Sequence, residues 1–396
     1  MNANIEYSLK QAIIFNIFFL VNYCVWLFGF QNLAPFVFSV LLIYFLYFCL
    51  NSIKLKQTLP ALIIFYLLLL SIGTVAIKWD ARSIWLFHAK RMFIDNSIFA
   101  QLDNYATWSH NDYPVMLPLL SASFAKLVGF WNEIFPKTSN IFFILPPLLI
   151  FYSYLKSKHW FVFFSIGAFF ILAKLVFNGY MDGILALYTI STLIILHQFR
   201  SNPKNKTVLL LAILQSCILV SIKNEGMFIL TILIISLLLT NLSQLKALFK
   251  KLWIFVIPYL FWLIWRLCCQ YFQVGNDMEK GLLGGDNLMN NIYIVLNDRF
   301  SFQNISLISQ NLFFFKFYLF GVIAIGIAIK NKFTHWGKLD AYLLTFICIY
   351  LLFLFSIYLI TPHDLSWHLG TSTNRTSLPI QLASFFLFLN ALKTNK

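Results

Sequence analysis

Apolar runs recur along the whole chain, each about 17 to 21 residues long and separated by polar segments, and nothing else in the sequence constrains the fold as much. A helix rises about 1.5 Å per residue, so a run of this length crosses the ~30 Å hydrocarbon core of a bilayer. In lipid every backbone N–H and C=O must pair within the segment or around a closed barrel. The ten-residue alternation of barrel strands is absent. The chain therefore reads as an all-α polytopic membrane protein. Composition agrees: 60% of the 396 residues are hydrophobic and 11% charged, which no ordinary soluble domain approaches.

Spans are expected near 11–30, 34–50, 59–77, 139–155, 159–177, 180–197, 207–222, 226–241, 252–272, 312–329, 341–360 and 377–392, about twelve in all. The run 114–130 is long enough to cross but carries Pro114, Pro118, Ser121, Ser123 and Lys126. Sidedness decides it, because cytoplasmic loops collect Lys and Arg. If 114–130 lies re-entrant or interfacial, Lys54, Lys56, Lys156, Lys158, Arg200, Lys204, Lys206, Lys330, Lys332 and Lys338 fall on one side. Asp80, Asp95, Asp112, Glu133, Asp182, Glu225 and Asp364 fall on the other. If it crosses, the asymmetry collapses. Both termini are then cytoplasmic, and function is expected on the outer face.

The formal net charge of +15 invites a nucleic-acid partner. The basic residues sit in short loops, however, where orientation and anionic lipid account for them, and the aromatic residues lie inside apolar runs. No nucleic-acid binding is expected; the bilayer is the expected partner. All six cysteines lie in expected spans; they say nothing of a disulfide framework, and no metal-type spacing of Cys and His is present. The first span, with one Lys10 before it, reads as a retained anchor. A single membrane domain over 1–396 is expected, without a separate soluble domain.

The longest polar excursion of the first half runs from Lys78 to Pro118. Asp80 follows an apolar run within a few residues, where a carboxylate is partly desolvated. A solvated helix-start acid is the alternative. The loop closes on His110-Asn111-Asp112-Tyr113-Pro114. Asp182 stands at the mouth of a span beside Gly179 and Gly183, where capping competes with a chemical role. Lys223-Asn224-Glu225-Gly226 is a turn too short for a solvated loop. It offers either a local ion pair or a point charge for phosphate. Before the last span lie His363-Asp364-Leu365-Ser366-Trp367-His368 and Arg375. That arginine is either a lipid-headgroup anchor or a ligand for a phosphorylated substrate.

An acid directly after a span, a surface loop ending in a His/Pro motif and a Gly-Tyr-Met-Asp turn two spans later resemble the polyprenyl-phosphate-sugar-dependent glycosyltransferases of the GT-C fold. Relatives of that type include protein O-mannosyltransferases and the bacterial lipid A aminoarabinose transferase. The likeness covers 59–200 best and extends loosely through Lys223 to Arg375, resembling a bacterial membrane subgroup of that superfamily. It implies a GT-C-like core at 59–200, with 11–50 as an N-terminal two-helix addition. An outer-face loop with interfacial helices would occupy 78–138, and a second outer loop 273–311. The resemblance assigns Asp80 as the catalytic carboxylate and Asp182 as a second acid. The His110 to Pro114 stretch stands where relatives often carry Lys-Pro or His-Pro-Pro, a departure that bears on Asp112.

The expected chemistry is inverting transfer of a sugar from a polyprenyl phosphate to a hydroxyl of a glycan, lipid or protein, on the periplasmic or outer face of a bacterial inner membrane. Asp80 and Asp182 are the expected catalytic residues. Substrate contacts are expected from His110, Asp112, Tyr113, Lys223, Glu225, His368 and Arg375. Asp80, Asp112, Asp182 and Glu225 offer hard oxygen ligands to a divalent metal, but no cofactor is expected. The glycines 281, 284 and 285 suit a mobile lid. The rival is a transporter or flippase of a lipid-linked sugar, with Lys174, Arg266 and Lys316 lining a path.

Overall fold

The computed structural model describes residues 3–100, 102, 107–242, 252–275, 299–334, 336–361 and 363–394. Among the described residues every regular element is helical. Seven helices there are long and apolar enough to cross a membrane: Ile5–Leu27, Gln31–Lys54, Phe135–Leu155, Lys158–Val176, Asp182–Ser201, Trp253–Tyr271 and Lys338–Leu359. Such helices fit a multi-pass membrane protein. They group into two units, Met1–Leu230 with Lys246–Phe272, and Thr231–Leu245 with Gln273–Lys396.

The first unit begins with α1 (Ala3–Leu27), α2 (Ala34–Lys54) and α3 (Leu59–Ile72). A π-helical turn, Ala81–Trp85, leads into α4 (Leu86–Asp95), and α5 (Met116–Val128) follows. A short 3-10 stretch then opens α6 (Leu145–Leu155), with α7 (Lys158–Leu172), α8 (Asp182–Ser201), α9 (Lys206–Val220), α10 (Glu225–Leu239) and α11 (Val256–Tyr271) behind it. The chain passes to the second unit within α10. Local chemistry sets the ends. Proline stands in the first turn of α2 and α3, where its missing N–H removes no helical bond. Asn205 caps α9, its side chain accepting from the amides of Thr207 and Val208.

The interior is organised around α1, which packs on α2, α5, α6 and α9. A polar network lies inside it: Asn16 Nδ2 donates to Gln215 Oε1 at 2.8 Å, and Gln215 Nε2 donates to Ser191 Oγ at 2.7 Å. Tyr188 donates to Asn16 Oδ1 at 3.3 Å. Away from water such groups must pair with one another, so the network fixes α1 against α8 and α9. The first helix is thus bonded into the body of its unit.

Several apolar runs fold shorter than their sequence extent. In place of 59–77, α3 stops at Ile72. Ser71 Oγ donates to the Phe177 carbonyl at 3.1 Å, and Lys137 Nζ donates to the Thr74 carbonyl. These two bonds capture the chain and turn it aside. Helices α9 and α10 have 15 residues each, less than the roughly 20 a perpendicular crossing requires.

The 114–130 run forms α5, a helix of 13 residues buried over most of its length. Trp26 Nε1 of α1 donates to Ser123 Oγ at 2.9 Å. At its far end Lys126 Nζ donates to the Gln31 carbonyl at 3.2 Å, in the turn between α1 and α2.

The second unit holds α12 (Phe302–Leu312), α13 (Leu319–Lys330), α14 (Lys338–Leu359), α15 (Leu365–Thr376) and α16 (Leu378–Thr394); α16 packs on α13 and α14, and α12 packs on α14 and α15. Asp340 ties the start of α14 to the end of α16, accepting from Gly337 N at 2.8 Å and from Asn390 Nδ2 at 2.6 Å. Asp364 caps α15 by accepting from Trp367 N at 2.8 Å. The glycines 281, 284 and 285 of the expected lid lie outside the described residues.

Candidate functional site

Three polar segments remote in sequence meet in the first unit: the 110–114 turn, the start of α8, and the turn between α9 and α10. Asp112 is the deepest member, 2% exposed. Its Oδ2 accepts from Asn224 Nδ2 at 2.5 Å and lies 3.8 Å from Arg266 Nη1 of α11. Its own carbonyl accepts from Trp265 Nε1 at 2.8 Å. One helix thus holds both the main chain and the carboxylate of Asp112.

A second group adjoins it. Lys223 Nζ lies 3.1 Å from Asp182 Oδ1 and 3.0 Å from Glu225 Oε1. Asp182 and Lys223 are both buried. Gly226 explains how the hairpin closes: a Cβ there would overlap the Leu219 carbonyl, so only glycine lets α10 start so near the end of α9. The expected local pair of Lys223 and Glu225 is present, and it is joined by an acid 41 residues away.

Tyr113 links the groups. Its ring stacks with Trp85 at 5.5 Å and with His110 at 4.7 Å, and Lys223 Nζ lies 5.6 Å from its centroid. His110 takes a left-handed backbone, φ 49°, and its carbonyl accepts from Tyr113 N at 3.0 Å. Burial pushes the phenol well above its ordinary range; Glu225, Asp112 and Asp80 raise it further, while Lys223 lowers it. Tyr113 is therefore a neutral hydroxyl with charged groups on several sides.

Asp80 directly precedes the π-helical turn and makes no side-chain capping bond to it. Wide turns of this kind re-aim side chains and recur at functional sites. Trp85, at the end of the turn, carries the stack with Tyr113, and the Asp80 charge adds last and least to the upward shift of that phenol. Gly179 sets the other side. Its φ is +95°, and a Cβ on it would lie 3.2 Å from Ala81 Cβ. The Asp80 turn and the turn before Asp182 therefore touch through glycine.

Burial also raises the Asp112 carboxyl, outweighing Asn224, His110 and Arg266, which lower it. His88, packed beneath with Asn111 and Ser109, is pushed down to about 4, mainly by burial. Four carboxylates, Asp80, Asp112, Asp182 and Glu225, thus share the site with Lys223 and Arg266.

Comparison with protein-family models, curated proteins and solved structures gives no match.

His368 and Arg375 belong to the second unit. Thr361 Oγ1 lies 2.7 Å from His368 Nδ1, and the His363 and His368 rings are 5.6 Å apart. Arg375 Nε donates to the Thr371 carbonyl at 3.4 Å. Burial, with His363 and Arg375 adding to it, pushes His368 down to about 4, so it is neutral at physiological pH.

The structure also brings in Arg266, Trp265, Asn224 and Trp85. Arg266 carried a signal: a lone guanidinium in an apolar run needs a partner, and Asp112 supplies it. Among the described residues no three His, Cys, Asp or Glu side chains gather as a metal ion requires.

Proposed function

We propose that the chain is a membrane glycosyltransferase acting on a sugar carried by a polyprenyl phosphate, with its site at the outer ends of the first unit's helices. The observation that carries it is the meeting of the 110–114 turn with Asp182 and the 223–225 turn: Lys223 Nζ lies 5.6 Å from the Tyr113 centroid and binds Asp182 and Glu225, Asn224 donates to Asp112, and the Asp80 turn packs against Gly179. These residues come from three segments that charge alternation assigns to one face. A twelve-span topology with cytoplasmic termini in a bacterial inner membrane belongs to the same proposal. Its support includes the two surroundings of α5: Lys126 meets the α1–α2 turn and Asp112 meets the α9–α10 turn, both on the outer face by alternation.

In this scheme an acceptor hydroxyl attacks the anomeric carbon. The bond from that carbon to the phosphate oxygen breaks with inversion, and its electron pair leaves on the lipid phosphate. The hydroxyl proton goes to Asp80, which is only partly buried, while Glu225, also partly buried, is bound to Lys223; the buried Asp182 and Lys223 hold Tyr113 in place. Asp112 is enclosed, so it positions its neighbours and does not meet substrate.

The test is donor turnover by purified protein in detergent, where transport has no meaning. Sugar release from the lipid carrier to a hydroxyl acceptor is the expected outcome. Binding without release supports the transporter. No metal is needed in this scheme, so activity is expected to survive exhaustive chelation; loss restored by a divalent cation would place a metal in the site.

A further inference from the structure

Lys137 is a buried cation that none of the roles above uses. It is 1% exposed, in the short helical turn Phe135–Thr138. Its Nζ donates to the Thr74 carbonyl, and no carboxylate pairs with it among the described residues. Four other cations of the unit differ in this respect. Lys223 is shared by Asp182 and Glu225, Arg266 faces Asp112, Arg82 faces Glu133 and Arg91 faces Asp95.

A buried ammonium offset only by a carbonyl is costly, and in a membrane protein an ionisable side chain so placed carries a functional hypothesis by default. Its position is informative. The Lys137 stem passes under Gly179, whose added Cβ would lie 3.6 Å from Lys137 Cδ and 3.2 Å from Ala81 Cβ. The ammonium stem thus shares one packing point with the residue after Asp80 and the turn before Asp182. Its acceptor, Thr74, opens the non-helical strip 74–77, on which Val75 and Ile77 are exposed, as are Ile72 and Trp79 on either side. An exposed apolar strip ending at an unneutralised cation suits a ligand with an apolar tail and an anionic head.

We propose that Lys137 binds the phosphate of the lipid-linked sugar, with the isoprenoid chain lying along Ile72, Val75 and Ile77. This rests on the transferase scheme above and replaces Lys223 as the phosphate contact, because Lys223 is already committed to two carboxylates. A phosphate oxygen would take the place of the Thr74 carbonyl on Nζ, and the electron pair released from the anomeric carbon would be held beside that ammonium.

The experiment measures binding to the detergent-purified full chain by intrinsic tryptophan fluorescence, with three probes: a long-chain isoprenoid monophosphate without sugar, the corresponding isoprenoid alcohol, and inorganic phosphate. Saturable binding of the monophosphate is expected, at least about tenfold tighter than either other probe. Lys137→Met is expected to weaken it by about tenfold or more, the scale of one charge-assisted bond. Monophosphate affinity within twofold of wild type in Lys137→Met overturns the inference, as does absence of monophosphate binding to wild type. Equal binding of inorganic phosphate overturns the lipid assignment. If Lys137→Met does not fold, Lys137→Arg decides: the displaced charge should weaken monophosphate binding at least threefold, and unchanged affinity overturns the inference. Because no sugar is involved, these outcomes are separate from turnover. Lys137-dependent binding without transfer would sink the transferase scheme alone.

Discussion

Lys223 holds two acids, and the charge state of the cluster turns on it. Removing one partner of a buried pair leaves an uncompensated charge and costs about 3 kcal/mol or more. Lys223→Met is therefore expected to lower the unfolding free energy by about 3 kcal/mol, and adding Asp182→Asn to recover part of it. Denaturant melts of the single and double variants measure this; equal stability of Lys223→Met and wild type would mean the pair contributes nothing. His88 makes a pH prediction. Its imidazole takes a proton near 6.5 when unfolded but only at about 4 when folded. The unfolded state therefore binds more protons between those values, so stability is intact above pH 6.5 and falls as pH drops toward 4. The linked loss approaches about 3 kcal/mol. His88→Gln should flatten that part of the stability curve, and an unchanged slope would show that His88 is not its source.

Among the elements, the π-helical turn and the 178–183 turn set the distance between Asp80 and Asp182. Gly179→Ala introduces both a strained positive φ and a Cβ 3.2 Å from that of Ala81. It is expected to cost about 1–2 kcal/mol and to lower turnover more than donor binding. A melting temperature and kcat equal to wild type would separate this contact from the site. What the sequence made legible here follows from chemistry that needs no partner. The acids beside span ends, the glycines of both turns and the short Lys-Asn-Glu-Gly hairpin are each visible as exceptions to an apolar pattern. Their pairings are not, because which carboxylate meets Lys223 depends on helix packing 41 residues apart. Arg266 shows the same limit. Its need for a counter-charge was readable, but Asp112 as its answer required α11 to pack beside the 110–114 turn.

At the scale of the whole molecule, apolar run length located the helices well and their lengths poorly. Capture of residues 74–77 by Lys137 and of Ser71 by the Phe177 carbonyl shortens α3, and hydropathy does not register such bonds. The body of the first unit depends on α1, so Asn16→Leu should destabilise it by about 1–3 kcal/mol by removing the partners of Gln215 Oε1 and the Tyr188 hydroxyl; thermal melting in detergent checks this, and an unchanged melt would leave α1 peripheral. Single cysteines at positions 31, 130 and 224 in a background without native cysteines should all react with a membrane-impermeant reagent from one side. Reaction of 130 from the opposite side would mean that α5 crosses. The most direct measurement of the central claim compares wild type and Asp80→Asn in detergent with a polyprenyl-phosphate sugar and a hydroxyl acceptor. The variant is predicted to bind donor with unchanged affinity and to transfer at least about a thousandfold more slowly, the combined scale of a general base and its positioning. Turnover within a few fold of wild type would contradict a site built around Asp80.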